Sequence, residues 1–325
     1  MGSSCRIVAS HPEPGRAAAL IEQAFDEIDR WNGILSDWTG DSELALLNAA
    51  AASPDPAAPT ACSPDLFAWL EAGLAVARET GGAFDPTVGA LVDLYAIRSG
   101  GRWPSAAEIE EARARVGHAK VILDSASRSV SFSAPGMRLD PGGNGKGVAM
   151  DAAAGILRAG GISWALIDFG GQILAVGGGP GGDGFEVELP GAPGAGDSGI
   201  IRLANSSAAT TSNSERSLVV DGRPLGHILD PTSLLPVSTA GSLTVVAATA
   251  ARADALSTAL FVVGPERALE AAERLGVEFR FVPPPGSHLR AVSTRGFPPR
   301  IVRASHEAGA APAALAPHST RHKEP

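Results

Sequence analysis

The sequence predicts an α+β protein, because helical and β-rich patterns follow one another without regular βαβ alternation. Apolar residues recur every three or four positions over 17–31, with acidic residues outside that stripe, which predicts an amphipathic helix. A second helix is predicted to begin at Ser63 and Pro64 and to end before the next glycine pair. Ser105 and Glu108 have the spacing of a capping box for a third helix.

Short runs rich in β-branched and other apolar residues predict the strands. They lie at 121–124, 129–133, 137–140, 164–169 and 243–248, with a further strand at 185–189 inside a Gly- and Pro-rich stretch. A glycine-rich loop at 142–147 is expected to open a helix that continues to Leu157. The mostly apolar run 253–263 predicts a buried helix.

Composition limits the classes of protein that this chain can belong to. With 44% hydrophobic residues it can bury a substantial core, and a net charge of −9 argues against a general nucleic-acid binder. The two cysteines show neither a disulfide framework nor a metal-binding spacing.

No apolar run is long enough to span a membrane, and the first residues lack the pattern of a signal peptide. We therefore expect a cytoplasmic protein, or an exported one if a leader has been removed. We expect a single domain over 1–303, followed by a disordered tail over 304–325, where Ala, Pro, His and charged residues dominate.

Two glycine-containing segments could bind a ligand. In GGAFDPTVGALVDL, Asp85 precedes a proline and is presented by a rigid turn, but on this segment alone a helix end with Asp85 bonding nearby amides is the better explanation. In RLDPGGNGKG, a loop begins after Asp140 and places Lys146 at the start of a helix, which is typical of an anion site. The spacing excludes a Walker A loop and a GxGxxG fingerprint, and a plain tight turn is the alternative.

A third pattern favours a metal ion. Asp254 and Thr258 lie four residues apart in an apolar helical segment, so their oxygens share one face and suit a hard cation. The alternatives are an exposed cap or a threonine bonded back to the helix, but an unpaired carboxylate in such apolar surroundings would be costly. His227, in HILDP, is weak evidence by itself. Together these patterns point to metal–phosphate chemistry.

These segments, in this order, resemble the FAD:protein FMN transferase (ApbE) family. The resemblance runs from MGS through LSDWTGDSELALLN, GGAFDPTVGALVDL, LDPGGNGKGVAMD and GHILDP to RADALSTALFVVG. It implies an ApbE-like flavin transferase fold, with mixed helices and antiparallel-rich sheets in two intimately packed lobes. It also implies Mg²⁺-dependent transfer of the FMN moiety of FAD to a Thr or Ser hydroxyl of an acceptor flavoprotein, through a phosphoester bond and with release of AMP.

The resemblance also assigns site residues. FAD would contact Met1, Trp38, Ala83, Phe84, Asp85, Asp140, Lys146, His227 and Ile228. The metal would be held by Asp254, Thr258, Ser257 and the carbonyl of Gly143. Asp254, His227 and Lys146 would be the catalytic group, with the choice of general base left open between His227 and a nearby carboxylate.

The chain also departs from the family pattern. Asn144 and Gly145 replace an apolar residue and alanine, Gln172 replaces aspartate, Asn213 replaces glycine, and Thr232-Ser233-Leu234 replaces Arg-Thr-Gly. These changes affect the flavin and acceptor sides more than the metal site. Two alternatives therefore accompany the transferase hypothesis: an FAD pyrophosphatase that gives free FMN and AMP, and a non-catalytic flavin-binding protein.

Overall fold

The computed structural model describes residues 3–189, 199–213, 218–298 and 318–321, the last four by their backbone alone. The helices in these residues are α1 Pro14–Leu35, α2 Glu43–Ala51, α3 Pro64–Glu79, α4 Gly89–Leu94, α5 Ala106–Ala112, α6 Gly145–Ala159, α7 Ala250–Val263 and α8 Pro265–Leu275. The strands are β1 Cys5–Ser10, β2 Thr60–Ala61, β3 Val121–Asp124, β4 Ser129–Phe132, β5 Trp164–Phe169, β6 Gln172–Val176, β7 Phe185–Glu188, β8 Ile200–Leu203, β9 Ser206–Ser212, β10 Leu218–Val220, β11 Arg223–Leu225, β12 Ser242–Ala247, β13 Glu278–Val282, β14 Val292–Ser293 and β15 His318–Arg321. None of the helices in this part of the chain is long and apolar enough to cross a membrane.

One large sheet organises the molecule. Its eight strands follow the order β14-β13-β12-β9-β6-β5-β1-β15, and every neighbouring pair is antiparallel. Helix α6 packs against both α1 and α7, and α7 lies along β9 and β12. A three-stranded sheet, β2-β4-β3, shares the main hydrophobic core with α1, α6 and the β1–β5–β6 part of the large sheet. The α+β class with antiparallel sheets is confirmed.

The predicted helices form for the predicted reasons. Every residue of the apolar stripe over 17–31 is buried in α1: Ala17, Leu20, Ile21, Ala24, Phe25, Ile28 and Trp31. The Ser63 side chain accepts a hydrogen bond from the Leu66 amide at the start of α3. Ser105 and Glu108 form the complete capping box of α5.

The prediction of a strand at 137–140 is wrong. The segment makes a single parallel bridge, between Val88 and Arg138. The buried side chain of Asn48 pairs with Leu139 instead: its amide nitrogen donates to the Leu139 carbonyl at 3.0 Å, and its oxygen accepts from the Leu139 amide at 2.7 Å. One asparagine therefore replaces the neighbouring strand that the backbone would otherwise need.

The expected disordered tail contributes a strand. Backbone residues His318–Arg321 pair antiparallel with β1 in the register Cys5↔Arg321 to Val8↔His318, so these four residues differ from the prediction of disorder. The physical reason is that β1 would otherwise be an edge strand with unpaired backbone groups. The remainder of 304–325 lies outside the described residues, and the division into one domain over 1–303 and a tail stays a prediction.

Candidate functional site

Helices α6 and α7 cross closely, and this crossing forms the centre of the candidate site. A Cβ atom at Gly147 would collide with the Ala250 carbonyl, so the glycine permits the close approach. Asp151 of α6 accepts hydrogen bonds from the amides of Ala250 and Ala251, both at 2.8 Å, and thereby caps the start of α7. Sequence reasoning gave Asp151 no role. The available signal was an acid within an otherwise apolar helical segment.

Asp254 is a buried carboxylate with few hydrogen-bond donors around it. Its residue is 6% exposed, and burial raises the pKa of its carboxyl against the opposing effects of Lys146 and the Gly147 amide. The Lys146 ammonium lies 3.6 Å from Oδ1, and the Gly147 amide donates to Oδ2 at 3.2 Å. A cation beside Asp254 would offset the cost of burying this charge.

Further oxygen atoms surround Asp254. The Thr258 hydroxyl donates to the Asp254 carbonyl at 3.3 Å, and the Ser257 hydroxyl donates to the same carbonyl at 2.9 Å. The Ser257 hydroxyl oxygen also lies 2.7 Å from the Thr211 hydroxyl oxygen. It therefore has one more hydrogen-bond partner than the Thr258 hydroxyl. A Cβ atom at Gly143 would lie 3.6 Å from the Thr258 oxygen, which places the glycine loop beside this face of α7.

This set of atoms fits a hard cation better than a soft one. It offers one carboxylate, hydroxyl oxygens and the backbone of the glycine loop, which are the ligand types that Mg²⁺ accepts. No group of three or more His, Cys, Asp or Glu residues in the described part of the chain is arranged to hold a metal ion, so a zinc-type site is not found there.

Asp85 contrasts with Asp254, because the protein itself supplies its donors. Its Oδ1 accepts from the Thr87 amide at 2.8 Å and the Thr87 hydroxyl at 2.6 Å. Its Oδ2 accepts from the His118 amide at 2.7 Å and lies 3.1 Å from His118 Nδ1. This carboxylate ties the turn after α3 to the turn before β3, so contact with a ligand through it stays a prediction.

Two of the apolar residues predicted near FAD, Ala83 and Phe84, lie in the same turn as Asp85. Phe84 is buried against Ala83 and α7, and a Cβ atom at Gly143 would lie 2.9 Å from its ring. Ile228 is buried in the core formed by β12, α7 and β13, and the neighbouring His227 is partly buried. The structure thus brings Phe84 to the glycine loop. Met1 lies outside the described residues.

A second charged cluster surrounds Asp140. Arg98 makes ion pairs with Asp140 and Asp37, and its guanidinium lies over the ring of Trp38 at 5.7 Å. The other oxygen of Asp140 accepts from the Gly142 amide at 2.7 Å, which connects this cluster to the glycine loop. Sequence reasoning missed Asp37 and Arg98, because no local pattern indicates that residues so far apart converge.

The departures from the family pattern have structural partners in this chain. The Asn144 oxygen accepts from the Trp69 ring nitrogen at 3.0 Å. Gln172 donates to the Ala250 carbonyl at 2.7 Å, at the start of α7. Asn213 donates to the Val237 carbonyl at 2.9 Å. Each of these three side chains therefore has a partner in the fold, and that of Gln172 is backbone at the α6–α7 crossing.

Comparisons with known proteins identify the family and the fold of this chain. Residues 1–281 match the ApbE family. A Treponema pallidum (strain Nichols) protein named FAD:protein FMN transferase is 31% identical over 324 residues, covering 94% of this chain and 84% of the relative. The apo structure of Pseudomonas stutzeri flavinyl transferase ApbE superposes with a TM-score of 0.80 at 27% identity, covering 91% of this chain and 92% of that one. The ApbE protein of Thermotoga maritima gives a TM-score of 0.79 at 30% identity, covering 86% and 91%.

The fold and the site define a protein built around an antiparallel sheet, with oxygen atoms of a buried helix facing a glycine loop. This chain belongs to the ApbE family.

Proposed function

We propose that this protein is a Mg²⁺-dependent FAD:protein FMN transferase that modifies a Thr or Ser hydroxyl of an acceptor flavoprotein. The observation that carries the proposal is the meeting of Asp254, Lys146 and the glycine loop at the α6–α7 crossing. Membership of a family whose relatives are named for this reaction supports the same conclusion.

The metal would be held by the Asp254 carboxylate, the Thr258 hydroxyl and the Gly143 carbonyl. Ser257 would contribute less, because Thr211 and the helix already engage its hydroxyl. When bound, Mg²⁺ supplies Lewis acidity and neutralises the charge of the pyrophosphate.

Lys146 and the amides of the glycine loop would bind the pyrophosphate of FAD. Lys146 keeps 27% of its side-chain surface exposed, so the side chain is only partly enclosed beside Asp254. A flexible lysine near an anion contributes a mobile point charge, and preorganised amides stabilise the charge that develops during transfer.

The reaction exchanges the phosphoanhydride bond of the FAD pyrophosphate for a phosphoester bond to the acceptor. The acceptor oxygen bonds to the phosphorus of the FMN half, the bond from that phosphorus to the bridging oxygen breaks, and AMP leaves with the electron pair. A base takes the hydroxyl proton, and either His227 or a nearby carboxylate fills this role. Trp38, Ala83, Phe84, Asp85, Asp140 and Ile228 would contact FAD.

Incubation with FAD, Mg²⁺ and an acceptor flavoprotein domain tests the proposal. We expect flavin fluorescence that stays with the acceptor after denaturing electrophoresis, together with one AMP per flavin attached. Release of free FMN and AMP without labelling would instead identify an FAD pyrophosphatase. Binding of FAD without cleavage would identify a flavin-binding protein.

A further inference from the structure

Arg98 lies on a turn whose backbone is held firmly. The turn follows α4, where the Arg102 guanidinium donates to the Leu94 carbonyl at 2.7 Å and the Gly101 amide donates to the Ala96 carbonyl at 2.8 Å. The Tyr95 hydroxyl donates to the Leu234 carbonyl at 3.0 Å. Arg98 therefore projects from a fixed position.

The guanidinium of Arg98 joins two buried acids. One of its terminal nitrogens lies 2.5 Å from an Asp37 oxygen and also hydrogen-bonds Asp140, and the two acidic side chains are only 5% and 7% exposed. Burial and then the charge of Asp140 raise the pKa of the Asp37 carboxyl, against the lowering effect of Arg98. Without this cation the two carboxylates would repel each other, so the position of Asp140 depends on Arg98.

Arg98 also supports an exposed aromatic ring. Trp38 follows Asp37 directly and is 70% exposed, although one face of its ring lies against the guanidinium. A cation over an indole face restricts the rotation of the ring and leaves the opposite face open to solvent. A planar ring system of a ligand could stack on that open face.

We propose that Arg98 is a positioning residue for FAD, which holds Trp38 and Asp140 in the orientations that the dinucleotide binds. This inference rests on the proposed function, because it takes both residues as FAD contacts. Arg98 links three separate parts of the chain: the end of α1, the turn after α4 and the glycine loop through the bond from Gly142 to Asp140. Fixing these groups before FAD arrives lowers the entropic cost of binding.

The test measures FAD affinity of the full chain in Mg²⁺ by flavin fluorescence, for Arg98→Met and Arg98→Lys. Arg202→Met is the matched control, since Arg202 also joins two acids, Asp183 and Glu186, on the distant β7–β8 hairpin. We expect Arg98→Met to raise the Kd roughly tenfold and the control to change it less than about twofold. Arg98→Lys should give an intermediate loss, because lysine keeps the charge without the planar fork.

Two further measurements separate positioning from general damage. In FAD-free protein, acrylamide quenching assigned to Trp38 by comparison with Trp38→Phe should rise when Arg98 is replaced. In the Trp38→Phe background, Arg98→Met should cost less affinity than in the wild type, because one of its two targets is already absent. At saturating FAD, kcat should fall much less than KM rises.

Near-normal FAD affinity in a folded Arg98→Met protein would overturn the inference and leave the proposed function intact. A wild-type protein that does not bind FAD would overturn both. If Arg98→Met does not fold, Arg98→Lys decides: wild-type affinity and quenching in that variant would equally overturn the inference.

Discussion

Asp254 and Asp85 are both buried carboxylates next to glycine-rich segments, yet their surroundings differ. The Asp85 carboxylate is surrounded by hydrogen-bond donors that belong to Thr87 and His118. Asp254 receives one amide hydrogen bond and has a lysine 3.6 Å away, while burial raises the pKa of its carboxyl. A carboxylate whose oxygens accept several hydrogen bonds from the protein stabilises the fold. A buried carboxylate with few such donors is available to bind a cation.

The largest expected effect follows from removing the charge of Asp254. Asp254→Asn keeps the shape of the side chain but removes the anionic metal ligand. Losing a residue that only orients a metal ligand typically costs ~10–100-fold, so FAD turnover should fall by more than that when the ligand itself is lost. Apparent Mg²⁺ affinity, measured by titrating activity and by calorimetry, should weaken with it. A melting curve verifies folding, and normal turnover at the normal Mg²⁺ demand would contradict the metal site.

Asp85→Asn is the matched test of the other acid. The amide nitrogen of the asparagine is a hydrogen-bond donor, and it would point at the donor groups of Thr87 or His118. We therefore expect a loss of about 2–3 kcal/mol in the free energy of unfolding. Calorimetric Mg²⁺ affinity of the folded protein should stay unchanged. Only Asp254→Asn should weaken Mg²⁺ binding, since Asp85 stabilises the fold and Asp254 binds the metal. A weakened Mg²⁺ affinity in Asp85→Asn would contradict this difference between the two acids.

Replacing Lys146 tests the cation beside Asp254. Lys146→Ala should weaken FAD binding by about tenfold, since one charge-assisted contact to the pyrophosphate is lost. FAD affinity is measured by flavin fluorescence, and circular dichroism should show an unchanged fold. Arg113→Ala, which removes an exposed cation paired with Glu110, serves as the control and should bind FAD normally.

The pH dependence of stability should also distinguish Asp254. Because burial raises the pKa of its carboxyl, the protonated form stabilises the metal-free fold, and this stability is lost as pH rises through the raised pKa. In denaturant titrations between acidic and neutral pH, metal-free wild type should therefore lose more stability than Asp254→Asn. Parallel pH profiles of the two proteins would argue that folding leaves the pKa of the Asp254 carboxyl unchanged.

The smallest effects are expected at Thr258 and Ser257. Thr258→Val removes a neutral ligand of similar size, so turnover should fall only several-fold and recover when Mg²⁺ is raised. Ser257→Ala should have an even smaller effect on Mg²⁺ demand, because its hydroxyl already bonds within the protein. A greater loss in Ser257→Ala than in Thr258→Val would reverse our assignment of these two ligands.

Local patterns predicted α1, α3, α5, α6 and α7, because their signals lie within a few residues, whereas α2, α4 and α8 were not predicted. The stripe in α1 and the caps Ser63 and Ser105 are examples. The same locality explains the failure at 137–140, where the partner is Asn48, and the failure to find Asp37 and Arg98. The pairing of Asp254 with Thr258 was visible because both lie on one helix. The approach of this pair to Gly143 brings together residues that are far apart in the sequence, so no spacing rule predicts it.

The position of β1 in the large sheet has a consequence for the way the chain folds. β1 is the first strand in sequence, yet Ser10 pairs with Trp164 and Val8 pairs with His318. Such non-local pairing lowers folding rates, because long loops must close before the contacts form. During synthesis β1 therefore waits without a strand partner until β5 has emerged. Over that interval the backbone of β1 stays unpaired, and α1 is the nearest element in sequence that can cover its apolar side chains.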